Sequence, residues 1–415
     1  MKRAKTQTRR SRLTKSSHRA GVIMVWTLWI MLAACFIAGS LMNVVYVSGI
    51  RSEAQNCASS SALAAGHGYL TDDLLRLHQE AFEVDGRATR CRQQALRISE
   101  EHRRASRIPM LTEDDIELLV PELTGPTSDA CAYVPTEVKV AFKGRGRHGL
   151  PLFFAGLTGL DRVNLGVQAC VKIEHSPIAF RPGRSLSVPI LPFAICDEMI
   201  SGDAETDSLS SDASDDEPTS EFSGYWTSNI ESGRGRDEFG WNSETHRFEN
   251  GPDGLPELTV TIYSTSSAGH EDAFIPMPFG PNGSLGTGAY AVWIQNGLTI
   301  EELEGSGESE IRYPGSMNVG IIAPTDLAAC RSSLESKIGE PCIISLCSLS
   351  PSNSESSVMT LKRPVSARVV QVTTAAAGSL KVVLQPCVMI TSTAVTAPSP
   401  SAGLNRYIYS VRLCE

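Results

Sequence analysis

From Gly21 to Ile50 the chain runs for thirty residues without a charged side chain, and Asn43 is its only strongly polar position. About 20 apolar residues are enough to cross roughly 30 Å of hydrocarbon, so this stretch predicts a transmembrane helix over 21–50. Gly21 stands at its entry. Trp26, Trp29 and Tyr46 suit the aromatic belts of a membrane interface. The next stretch, 51–106, reads as mostly helical. Small residues dominate Ala54 to Ala65, a surface on which another helix packs closely. Gly66 and Gly68 are expected to break that run. Thr71 before Asp72 and Asp73 then reads as a capped helix start, with Leu74, Leu75, His78 and Phe82 at helical spacing. Asp85-Gly86 marks a second break before a basic helix carrying Cys91, Ala95 and Ile98.

Beyond about Ile108 the period shortens to two. Val138, Val140 and Phe142 alternate with polar residues, as do Val167, Ala169, Val171 and Ile173, then Leu258, Val260 and Ile262; positions near Val369 and Val382 repeat the pattern. Such alternation marks half-buried strands, and the Gly, Pro and Ser clusters between them predict antiparallel sheets joined by loops. The fold class expected is therefore α+β. A single N-terminal transmembrane helix continues into a helical segment and is followed by a mainly antiparallel β region. The order is a basic tail (1–20), the membrane helix (21–50), a helical stalk (51–106), a β-rich region (107–200), an acidic linker (201–221) and a second β-rich region (222–415). The linker holds eight acidic residues and no basic one, too little apolar surface to offset ordering. Within it Asp212, Asp215, Asp216 and Glu217 lack the glycine-punctuated spacing of a calcium loop.

Charge fixes the orientation. Eight Lys and Arg lie in the first twenty residues with no Asp or Glu, which places the N-terminus in the cytoplasm and the rest outside it. The whole chain has 37 basic and 46 acidic residues; without the tail it has 29 against 46, a formal −17. A body so acidic excludes nucleic acid as a partner, because phosphate binding needs clustered Lys and Arg. Of eleven cysteines ten lie beyond the membrane segment, an even number in an oxidising compartment, so some disulfides are expected.

These residues carry a resemblance. Arg19-Ala20-Gly21-Val22-Ile23-Met24-Val25-Trp26, the apolar helix, and Glu53-Ala54-Gln55-Asn56-Cys57-Ala58 through Ala62-Leu63-Ala64-Ala65 resemble the N-terminal segment of TadE/TadG-like proteins, assembly components of the Flp (tight-adherence) pilus. Asn43-Val44-Val45-Tyr46 departs from the Asp-Leu-Gly-like turn of many members, and Cys57 with the serines departs from the usual Ala-Asp. Farther along, Leu150 to Leu157, Phe180-Arg181-Pro182, Leu191 to Ala194, Ile338 to Pro341 and Val382 to Pro386 are similar to the exported part of long members. The resemblance implies a non-enzymatic pilus-assembly or pilus-associated protein of the cytoplasmic (inner) membrane, with its C-terminal region periplasmic or extracellular. Its expected partners are the lipid bilayer and other membrane proteins of a pilus or secretion apparatus. Ala54, Asn56, Cys57, Ser61 and Ala65 would pack on their helices, or on a second copy through the N-terminal helix. The alternative is an anchored binding module for a surface polymer or protein, unrelated to pili.

Motifs for chemistry are missing. His270-Glu271 lacks the second His of a zinc protease, no GxSxG elbow occurs, and Gly144, Gly146 and Gly149 lack the GK[ST] ending of a phosphate loop. Some TadG-like proteins carry a DxSxS metal site, which Asp207-Ser208-Leu209-Ser210-Ser211 misses at its third position. No catalytic residue, cofactor or metal is therefore expected. Two processed forms compete with a retained anchor: cleavage after Gly21, where Trp26 replaces the glutamate of a prepilin site, and lipidation at Cys35 in Leu32-Ala33-Ala34-Cys35.

Overall fold

The computed structural model describes residues 14–76, 84–105, 111–119, 134–144, 150–155, 161–199, 225–264, 272–279, 288–305, 307–350, 358–375, 378–397 and 405–414. The chain is mixed helix and strand, with a long apolar N-terminal helix followed by sheets rich in antiparallel pairs. Helix α1 runs unbroken from Thr14 to Tyr69, 56 residues or about 84 Å at 1.5 Å per residue. A 3₁₀ turn, Asp72–Leu75, separates it from α2 (Val84–Ala105).

Two sequence expectations are corrected here. Gly66 and Gly68 do not break α1; they let neighbours approach it. A Cβ on Gly66 would sit 3.2 Å from Val411 Cγ1, and one on Gly68 only 2.9 Å from Gln94 Cγ. Asp85-Gly86 lies inside the first turn of α2. Thr71 does precede a helical turn, but its hydroxyl caps no backbone N–H. The carboxylates serve other groups: Asp72 accepts from Arg368 Nη1 (2.6 Å) and from the Val388 amide (2.7 Å), while Asp73 pairs with Arg76 and Arg90. His78, Phe82 and the acidic stretch 201–221 lie outside the described residues.

The strands follow in chain order: β1 (Ile116–Leu119), β2 (Glu137–Gly144), β3 (Leu150–Pro151), β4 (Arg162–Val163), β5 (Leu165–Glu174), β6 (Pro177–Phe180) and β7 (Ile190–Met199). A π-helical turn at Thr227–Glu231 leads to β8 (Phe239–Asn242), β9 (Arg247–Asn250), β10 (Leu258–Ile262) and β11 (Phe274–Pro276). Helices α3 (Ala289–Asn296) and α4 (Ile300–Gly305), strands β12 (Ile311–Arg312) and β13 (Gly315–Asn318), and helix α5 (Pro324–Ser336) come next. The chain ends in β14 (Pro341–Ser350), β15 (Val358–Thr374), β16 (Leu380–Pro386), β17 (Met389–Ile390), β18 (Ala394–Thr396) and β19 (Ile408–Leu413).

The chain divides into two compact units. One comprises Met1–Ala62, Ala95–Glu117 and Lys139–Ala169; the other comprises Leu63–Gln94, Leu118–Val138 and Cys170–Glu415. In the first, the small-residue face of α1 is covered by the chain itself. Ala54, Cys57, Ala58, Ser61 and Ala62 are fully buried, and the Cys57 thiol hydrogen-bonds to Ser99 of α2.

The second unit is built on a seven-stranded sheet of order β10-β16-β15-β14-β7-β11, with β13 paired to β15. Strand β7 precedes the acidic stretch, and its neighbours β14 and β11 follow it, so one sheet draws on both β-rich stretches. Its pairs are antiparallel except β14 with β7. The core is apolar: Phe193, Ile195, Val260, Phe274, Ile343 and Val382 are all completely buried. Burial of that much apolar surface is the main stabilising term of such a unit.

The expected disulfides are absent among the described residues: none of their ten cysteines is joined in one. Most are small apolar fillers of cores large enough to stand without staples. Cys131 lies outside the described residues.

Candidate functional site

The apolar half of α1 is exposed along most of its length. Its large side chains from Val22 to Val45 are 48–77 % exposed, although mean hydropathy reaches 2.3 over an 18-residue window. By length and composition it is the one described helix able to cross a membrane. A soluble protein buries such a helix in its core, and this one is uncovered. Trp26 and Trp29 point outward. Gly21 is helical, and its exposure falls outside what is described.

The two remaining anchor positions behave differently. Asn43 is buried, and its Oδ1 accepts a hydrogen bond from the Phe154 amide at 3.3 Å. Tyr46 is half-buried, with its ring centroid 4.4 Å from that of Phe153. Both contacts come from the chain that leaves β3, which pairs antiparallel with β4 (Leu150 opposite Val163, Pro151 opposite Arg162). The isolated apolar string Leu152-Phe153-Phe154 in the sequence hinted at this contact, but not at its partner on α1.

The expected packing positions divide by helix face. Ala54, Cys57, Ser61 and Ala65 are buried within the chain, and Asn56 is exposed. The covered four therefore present no free surface to another protein, and the exposed Asn56 lies on the opposite side.

In the second unit half-buried and buried polar groups form a network that the sequence did not announce. Asp197 accepts from the Trp226 and Thr227 amides (2.9 and 3.1 Å) and from the Thr227 hydroxyl (2.8 Å), capping the turn that enters the π-helical segment. Glu231, at the end of that segment, accepts from Arg363 Nη1 (2.8 Å) and the Tyr407 hydroxyl (3.0 Å). Trp226 Nε1 donates to the same hydroxyl at 3.2 Å. Burial pulls the Glu231 carboxyl upward. The hydrogen bond and charge of Arg363 outweigh it, so the group ends below its ordinary 4.5. Burial drives the Tyr407 phenol up. Each of these groups is spent on a neighbour within the chain.

Asp253 and Glu257 act similarly. Asp253 accepts from the amides of Trp241 and Leu255, and Glu257 from those of Glu238 and Phe239, at 2.8–3.1 Å. Burial raises both carboxyls. A cleft of about 680 Å³ lies elsewhere in this unit, lined by Phe279, Leu303, Ile311, Met317, Leu361 and Glu310 among others. Glu310 is held there by Arg181 (2.5 Å) and Arg312 (2.6 Å). Among the described residues, no three His, Cys, Asp or Glu side chains converge in a way that would hold a metal ion.

No protein-family model, curated protein or solved structure matches the chain.

Proposed function

We propose that this chain is a membrane-anchored, non-enzymatic envelope protein of the Flp-type pilus-assembly kind that its N-terminal segment resembles. In this reading α1 crosses the cytoplasmic membrane once, the basic tail stays in the cytoplasm, and the β-rich body works on the other side. The observation that carries it is the uncovered apolar half of α1, whose large side chains from Val22 to Val45 are 48–77 % exposed. The charge-free run behind eight basic residues supports the orientation. The mutual pairing of Asp197 with Thr227 and of Glu231 with Arg363 and Tyr407 supports a scaffold role over a catalytic one.

The test is alkaline-carbonate extraction of membranes followed by intact-mass measurement. Retention in the pellet at the full-chain mass is expected. A soluble product that has lost the N-terminal helix would make α1 a cleaved signal sequence and overturn the anchor. Partners taken from detergent extracts then decide the pilus assignment: pilus or secretion-apparatus membrane proteins are expected.

The cleft bounded by Phe279, Met317 and Glu310 favours a second reading, an anchored binding module for a surface polymer or protein. Recovery of envelope polymer without any pilus component would select it.

A further inference from the structure

The tip beyond β3 is apolar and outward-facing. Phe153 is 66 % exposed and Phe154 36 %, and neither is needed to fill a core. Two adjacent aromatic rings in that condition call for an explanation, because a chain segment facing water gains nothing from them. Their position supplies it. Phe153 stacks at a tilt on Tyr46, and the Phe154 amide donates to Asn43, so the tip meets α1 over one turn.

That turn sits at a defined level. Counting about 20 residues of span from Val22 puts the far edge of the hydrocarbon near Leu41 to Asn43. Met42, Val44 and Val45 remain 64–70 % exposed around the same turn, so helix and tip share one apolar surface. An amide such as that of Asn43 is costly at this depth unless hydrogen-bonded, and the tip supplies a donor to its Oδ1, while its buried Nδ2 has no partner among the described residues.

We propose that this tip is a second membrane contact. Phe153 and Phe154 lie in the headgroup–acyl boundary of the leaflet where α1 leaves the bilayer, touching lipid directly. The tip thereby fixes the β3–β4 segment against the membrane surface at a set height on the helix. The proposal rests on the anchor reading of α1.

The experiment uses the full-length protein in phosphatidylcholine–phosphatidylglycerol vesicles containing a phospholipid with a diazirine near the glycerol end of its acyl chain. After irradiation and digestion, lipid adducts are expected on peptides of the α1 apolar half and on the peptide containing Phe153 and Phe154. Helix adducts with an unlabelled tip overturn the proposal and leave the anchor standing. No adduct on either overturns the anchor reading, and this proposal with it. The double variant Phe153→Asp, Phe154→Asp is expected to lose the tip adduct while the helix adducts persist; a retained tip adduct also overturns the proposal. In a parallel sample a photoreactive phenylalanine analogue replaces Phe153. Cross-links to lipid are expected, and cross-links to a second copy or another protein would show that protein covers the tip instead.

Discussion

Cys414 is exposed, Cys170 half-buried, and Cys91, Cys330 and Cys387 are enclosed; burial pushes these last three thiols up to about 12. Burial raises Cys342 as well. Cys347, held up first by its hydrogen bond to Cys196 on the neighbouring strand and then by burial, is raised too. Reactivity follows the thiolate, so environment and access act in the same direction at these positions. Maleimide at neutral pH should modify Cys414 quickly and Cys170 slowly, and should reach Cys91, Cys196, Cys330, Cys342, Cys347 and Cys387 only after denaturation. Peptide mapping of the modified protein checks this. Rapid native-state modification of Cys330 or Cys342 would contradict the burial described. The cysteine count alone suggested staples; which thiols meet depends on strand register, and no spacing along the chain encodes that.

At the scale of the element, α1 joins two jobs in one continuous helix. Its first half is apolar on every side, and its second half is apolar on one face only. Ala58 and Ala62 are fully buried and small because something packs directly upon them, whereas Asn56, within the same turn, is exposed. Ala58→Leu should therefore overpack the interface and cost about 1–3 kcal/mol, while Asn56→Leu should stay within about 0.5 kcal/mol. Thermal melts of the two variants in detergent distinguish them; equal melting temperatures would mean that the face is not packed in the folded chain. The membrane-length run was legible from composition, and so were strands such as β5, whose burial alternates along Leu165–Glu174 as its sequence does. Gly66 and Gly68 misled for a physical reason. Glycine inside a helix marks either an end or a close approach, and only the partner (Val411 or Gln94) decides which. The parallel pairings of β7 with β14 and of β17 with β19 were equally hidden, because they join strands far apart in the chain or separated by other elements. The hairpin tip at Phe153 was visible only as an apolar string. Its contact with Asn43 spans more than a hundred residues, and hydropathy carries no information at that range.

For the whole molecule, the carboxylates set opposing responses to acid. Glu310, through Arg181 and then Arg312, and Glu231, through Arg363, both sit below their ordinary 4.5. Asp73 is likewise held below 3.8, where Arg90 and Arg76 outweigh burial. Their stabilisation is complete above the unfolded-state values and is lost as pH falls through the lower folded-state values. Asp253 and Glu257 work the other way. Burial raises them, so at neutral pH the folded chain holds two charges it would more readily protonate. As pH falls toward the unfolded-state values, those two groups bind protons first in the folded state and stability rises. The expected curve therefore climbs on the acid side of neutrality before dropping below about pH 4.5, near the ordinary carboxylate range. Two variants separate the limbs. Glu257→Gln should flatten the rise; it also disturbs two backbone hydrogen bonds, so the effect is read in the slope and not in the level. Glu231→Gln should lower stability at neutral pH by about 1.5–3 kcal/mol, the range for a hydrogen bond to a charged group, and weaken the acid-side drop. Thermal unfolding of the full chain in detergent from about pH 7 to about pH 3 measures both. A drop unchanged by Glu231→Gln would remove the Glu231–Arg363 pair from the account of acid stability, leaving Glu310 and Asp73 to explain it.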